Sequence, residues 1–166
     1  MSTQVLERVK GELGAWAQDA VVSHGVLAIN APTGGVLPLV HMLKGRGFDM
    51  FLDVTAVDWL GQAPRFEVVW HFYSTTHKVR VRVKARVTEE QPEVDSLVPL
   101  YGSAAFMERE CHEMYGIRFN GNADLRPLLL YEGFVGYPLR KDYPKLGEQP
   151  LVPYREGFDL SERTRG

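Results

Sequence analysis

The chain has 166 residues, 45% of them hydrophobic and 24% charged, with a net charge of -2. That length is one domain's worth with room for a real core, and the near-neutral charge removes any global electrostatic case for nucleic acid or anionic lipid. The lone cysteine, Cys111, excludes an internal disulfide and a self-contained iron–sulfur cluster, which takes about four thiolates. The charged start and the lack of any apolar run near the ~20 residues that span a bilayer read as a soluble chain without a signal peptide. From Gln4 to Val22, Val5, Leu6, Val9, Leu13, Trp16, Ala17, Ala20 and Val21 follow helical spacing, weakened by Gly11 and Gly14 at about 1 kcal/mol each. Residues 25–31 (GVLAINA) predict a short strand, closed by Pro32 and the Gly34-Gly35 turn, and 36–44 a second helix stopped by Gly45 and Gly47.

Three strands are then expected: 48–59, 65–73 and 79–87, separated by short turns. In the last, Val79, Val81, Val83, Ala85 and Val87 alternate with Lys78, Arg80, Arg82, Lys84 and Arg86, so one face is buried and one is wet. Sequential strands with short turns form an antiparallel meander, and helices on either side make the fold class α+β: a two-layer domain with a mainly antiparallel sheet flanked by helices. From Glu93, the residues Leu97, Leu100, Ala104, Met107, Cys111 and Met114 make a helical stripe with a break near Pro99. After Gly116 no period survives. Leu128, Leu129, Leu130, Phe134 and Tyr143 mark 117–166 as an extended C-terminal arm on a core domain of residues 1–116, lying along this domain or another protein.

The densest chemistry is ERECHEMYG, residues 108–116, where Glu108, Arg109, Glu110, Cys111, His112 and Glu113 are consecutive. Zinc-protease spacing fails, because Gly116 stands where HExxH needs its second histidine. Di-iron Glu-x-x-His pairs fail at Cys111 and Glu113. A Cys111–His112 thiolate pair fails because neighbours on a helix point about 100° apart and Cys111 falls on the apolar stripe. Glu110 and Glu113, or Arg109 and Glu113, can meet across a helix turn as solvated or interface pairs. The basic strand face admits three readings: phosphate binding, for which that strand lacks stacking aromatics; a solvated, edge-protecting face; or docking to an acidic partner.

ERECHEMYGIRFNGNADLRPLLL, followed by GFVGYPLRKDYP, resembles the paired signature of the thirty-kilodalton subunit family of respiratory complex I, the C-type subunit of bacterial NADH-quinone oxidoreductase. DVTAVDW at 53–59 and the two following strands agree, and the likeness spans nearly all of residues 1–145. Asn122-Ala123 stands where the family usually has His-Pro, Pro127 replaces an arginine and Tyr137 a histidine. The resemblance implies a cofactor-free structural subunit in the peripheral arm of a proton-pumping complex, with FMN and iron–sulfur clusters in other chains. It further implies packing on the large D-type subunit, which helps form the quinone site. Membrane association would then be indirect, on the cytoplasmic side of the bacterial inner membrane. Glu108, Arg109, Glu110, Glu113, Asp124, Arg126, Arg140, Lys141 and Asp142 become the expected interface set, with ion pairs within and between chains. Relatives in membrane-bound hydrogenases and other donor-fed complexes supply the alternative, and a sheet-based nucleic-acid binder a third.

Overall fold

Glycines divide the N-terminal stripe that sequence periodicity joins. The computed structural model describes residues 2–145. Helix α1 (Ser2–Gly11) stops at its glycine, and Gly14, at φ +58°, opens a single 3-10 turn. The expected continuation to Val22 is instead strand β1 (Ala20–Ser23), joined by His24-Gly25 to β2 (Val26–Asn30). Both loop residues have positive φ, as the tightest right-twisting hairpin loop demands. Ala20 and Leu27 share the buried face only because the positive-φ turn folds β1 back on β2.

Helix α2 (Val36–Gly45) buries Val36, Leu39, Val40 and Leu43. The meander follows as read: β3 (Met50–Asp58), β4 (Phe66–Ser74) and β5 (Val79–Val87) pair antiparallel. The finished sheet has five strands in the order β1-β2-β5-β4-β3. It is mainly antiparallel, with one parallel seam where β2 joins β5. Register places Leu27, Ile29, Val81, Val83, Val68, Trp70, Val54 and Ala56 on one face, which forms the core with α1, α2 and α3 (Ala104–Tyr115). Helix α3 packs against β3, covering the end of the sheet opposite β1.

Between β5 and α3 the expected helical start at Glu93 is a strand, β6 (Glu93–Asp95), which pairs in parallel with β7 (Arg118–Asn120). Pro99 falls inside the Leu97–Tyr101 turn, and helix begins only past it. Tyr101 turns its ring onto Phe51 and Phe72 and donates its hydroxyl to the Phe48 carbonyl at 2.6 Å. Burial pushes that phenol up to about 12.

Residues 117–145 are fastened back onto the domain by the contacts described below. Residues 146–166, the rest of the expected arm, lie outside the described residues.

Candidate functional site

The site is the outer side of α3 with the segment that returns across it. Helix α3 ends at Gly116, whose left-handed φ of +75° caps the helix by donating to the His112 carbonyl. A Cβ there would lie 2.6 Å from both the Tyr137 ring and the Arg140 guanidinium. Glycine at this position therefore serves two ends, the turn out of the helix and the close seat of the returning chain.

Two side chains one turn apart grip the backbone of residues 126–130. Arg109 donates from Nε to the Arg126 carbonyl and from Nη2 to the Pro127 carbonyl, each at 2.9 Å. Glu113, almost fully buried, accepts the amides of Leu128, Leu129 and Leu130 at 2.9, 2.8 and 3.2 Å. A carboxylate facing consecutive amide groups and a guanidinium facing consecutive carbonyls read a turn without reading its side chains. Asp124 pairs with Arg126 at 2.9 Å, and that guanidinium holds the Asp124 carboxyl well below the usual carboxylate range.

Glu108 lies on the inward side and is 0% exposed. Its carboxylate accepts Ser96 Oγ at 2.8 Å, the Leu97 amide at 2.7 Å and Asn122 Nδ2 at 2.9 Å. Burial raises its pKa, and the hydrogen bonds only partly oppose that. It thereby ties α3 to the turn before it and to the chain after β7. Cys111 is buried beside it, with its thiol pushed up by desolvation, in keeping with its place on the apolar stripe. His112 faces the Ile117 carbonyl through Nδ1 at 2.9 Å, which fixes the proton on that nitrogen when the ring is neutral. Among the described residues, Glu110 is the member of the cluster that is exposed and has no cationic partner.

The far end of the segment closes on the sheet. Arg140 donates Nε to the Tyr115 carbonyl at 2.7 Å, and its guanidinium lies over the Phe66 and Tyr137 rings. The Lys141 amide donates to Asp58 Oδ2 at 2.8 Å. Asp142 meets Arg65 in a two-pronged pair at 3.0 and 2.8 Å. Arg65 is the hub here. It is 4% exposed and also holds Asp58 through two bonds of 2.9 and 2.8 Å, with Glu89 at 2.5 Å. Arg65 in turn keeps the Asp58 and Asp142 carboxyls below their ordinary values.

All nine residues expected to form an interface thus lie on α3 or the returning segment, and most have partners within this chain. Sequence reading passed over Asp58, Arg65, Glu89, Ser96 and Asn122. One signal was there: in Val54-x-Ala56-x-Asp58 the aspartate takes the inward phase of a strand, and a carboxylate there needs a cation. Leu129, Val135 and Leu139 on the segment, and Phe106 on α3, are each more than half exposed. Among the described residues, no three His, Cys, Asp or Glu side chains are grouped so as to hold a metal ion, and no helix is long and apolar enough to cross a membrane.

Fold and site together define a two-layer α+β domain whose most ionisable stretch grips a chain segment. A family model described as "Respiratory-chain NADH dehydrogenase, 30 Kd subunit" matches residues 29–149. The chain is 38% identical over 153 residues to the C 2 subunit of NADH-quinone oxidoreductase from Rhizobium meliloti (strain 1021), covering 90% of this chain and 84% of that one. A trypsin-resistant fragment of Nqo5 aligns at TM-score 0.65 and 30% identity, over 75% of this chain and 100% of the fragment. A chain of the membrane-bound sulfane sulfur reductase, an archaeal respiratory membrane complex, aligns at TM-score 0.74 and 26% identity, over 84% of this chain and 86% of that one. The protein belongs to the family of the 30 kDa subunit of respiratory-chain NADH dehydrogenase.

Proposed function

We propose that this chain is a cofactor-free structural subunit in the peripheral arm of a proton-pumping NADH-quinone oxidoreductase. It packs on the large D-type subunit of the quinone site, and NADH, FMN and iron–sulfur chemistry resides in neighbouring chains. It reaches the cytoplasmic side of the bacterial inner membrane through those partners. The observation that carries the reading is the grip of Arg109 and Glu113 on the 126–130 backbone. The most reactive-looking groups of the chain are engaged in holding a segment in shape, while that segment presents Leu129, Val135 and Leu139 to a partner. Residues 117–166 act as an arm: the described part is pre-seated on its own domain, so less conformational freedom is lost when a partner docks. Glu110 and the Lys141 ammonium, both exposed, supply rim charges.

Affinity purification from native membranes tests this. The quinone-site large subunit and NADH-binding subunits should co-purify with the chain, while the isolated folded chain should bind no iron and oxidise no NADH. Iron bound by the isolated chain, or a purified complex without the quinone-site large subunit, would overturn it. The likeness to a chain of a sulfane sulfur reductase supports the second reading, the equivalent subunit of a hydrogenase-type or other donor-fed relative. Hydrogenase subunits in the same purification, without NADH-binding ones, would select it.

A further inference from the structure

The five-stranded sheet has two faces, and only one contributes to the core. Register assigns the other to Val21 on β1, Val26 and Ala28 on β2, and Arg80, Arg82, Lys84 and Arg86 on β5. Glu67, Val69, His71 and Tyr73 on β4, with Asp53, Thr55 and Val57 on β3, complete it. Val69 is buried yet stands outside the core cluster, shielded by its own sheet neighbours. Four cations share this face with two carboxylates. Glu67 is already engaged with Lys84 at 2.9 Å and Arg86 at 3.9 Å. Arg80 is exposed and has no side-chain partner among the described residues, and the buried Nε of Arg82 lacks a hydrogen-bond acceptor. Val21 and Val57 on this face are 59% and 37% exposed.

We propose that this face, with Arg80 and Arg82 at one end and Val57 at the other, is a second docking surface for a carboxylate-bearing, partly apolar segment of a partner subunit. Charge selects the occupant. The face is positive while the whole chain carries -2, so attraction is local to it. Glu67 already pairs with Lys84 and Arg86, which leaves Arg80 and Arg82 as the cations for an incoming carboxylate, and the exposed Val21 and Val57 suit a protein side chain better than a nucleic acid or lipid headgroup. Its Arg80 and Arg82 end lies on β5, two strands from the β3 edge where α3 packs, so the proposal stands whether or not the quinone-site large subunit is the partner of α3 and the returning segment.

The test uses the complex assembled in native membranes. Benzoylphenylalanine replaces Val57 or Arg80, and separately Leu129 on the returning segment, and photo-cross-links are identified by mass spectrometry. An adduct from position 57 or 80 to a peptide of another subunit that contains Asp or Glu supports the proposal. Cross-links only to lipid, to RNA or to residues 146–166 of the same chain overturn it, as does no cross-link at either position. The Leu129 adduct reports on the proposed arm contact alone. In cells expressing wild-type and R80E chains together, R80E should melt at the wild-type temperature in isolation yet be about tenfold under-represented in the purified complex. Equal incorporation of the two chains would also overturn the proposal.

Discussion

Replacing Arg65 with methionine keeps most of the stem and removes the guanidinium, and the geometry fixes where the loss falls. Asp58 is 4% exposed and would keep only the Lys141 amide as a donor. Breaking one partner out of a buried pair costs about 3–5 kcal/mol, because the remaining charge stays desolvated. Asp142 and Glu89 have side chains 49% and 52% exposed, so water replaces their share and each contributes at most about 1 kcal/mol. Arg65→Met should therefore destabilise the isolated chain by about 3–5 kcal/mol, and Asp142→Asn by less than about 1 kcal/mol. Urea unfolding followed by tryptophan fluorescence measures both. Adding Asp58→Asn to Arg65→Met should recover part of the loss, since no buried charge is then left alone. The pH dependence has a defined sign. Asp58 and Asp142 are held below their unfolded values by Arg65, so their contribution is present above about pH 4 and is lost as pH falls through the folded values. The gap between wild type and Arg65→Met should accordingly narrow toward low pH, where a lone Asp58 is protonated. Equal costs for Arg65→Met and Asp142→Asn, or a gap that widens in acid, would refute the assignment of Arg65 as a buried hub.

Gly116→Ala should destabilise by about 1–3 kcal/mol, combining a left-handed backbone penalty with displacement of Tyr137 and Arg140, and the urea midpoint reads it. Glu113→Ala removes one acceptor from three amides in a solvent-accessible segment. Hydrogen exchange should speed at Leu128, Leu129 and Leu130 while the global melting temperature moves little. Glu108→Ala leaves Ser96, the Leu97 amide and Asn122 without their shared acceptor, at about 2–4 kcal/mol in urea unfolding. Burial raises the Glu108 pKa, so its protonation-linked stability is greatest in acid and is lost as pH rises through the folded value. A plot of stability against pH for Glu108→Ala should lack that component.

The meander was legible because Val79 to Val87 alternate without exception, and a period of two has one physical meaning. The N-terminus was not, because Trp16, Ala17, Ala20 and Val21 continue the helical spacing and only the His24-Gly25 turn reveals the hairpin. The parallel seam of β2 with β5 is a long-range choice that no local pattern records. At the site, the signature located α3 and the returning segment, and Cys111 read correctly as core. Partner choice was hidden for a simple reason. Glu113 and Arg109 bond to main-chain groups, which every residue carries, so no complementary side chain in the sequence announces them.

Cys111 gives the protein a reporter that needs no engineering. Its thiol is enclosed between α3 and the sheet and is held protonated by burial, and alkylating reagents attack only an accessible thiolate. Labelling must therefore wait for the helix to lift from β3. The labelling rate becomes a clock for that opening. Run on free chain and on assembled complex, the same clock would time how far neighbouring subunits hold the lid shut.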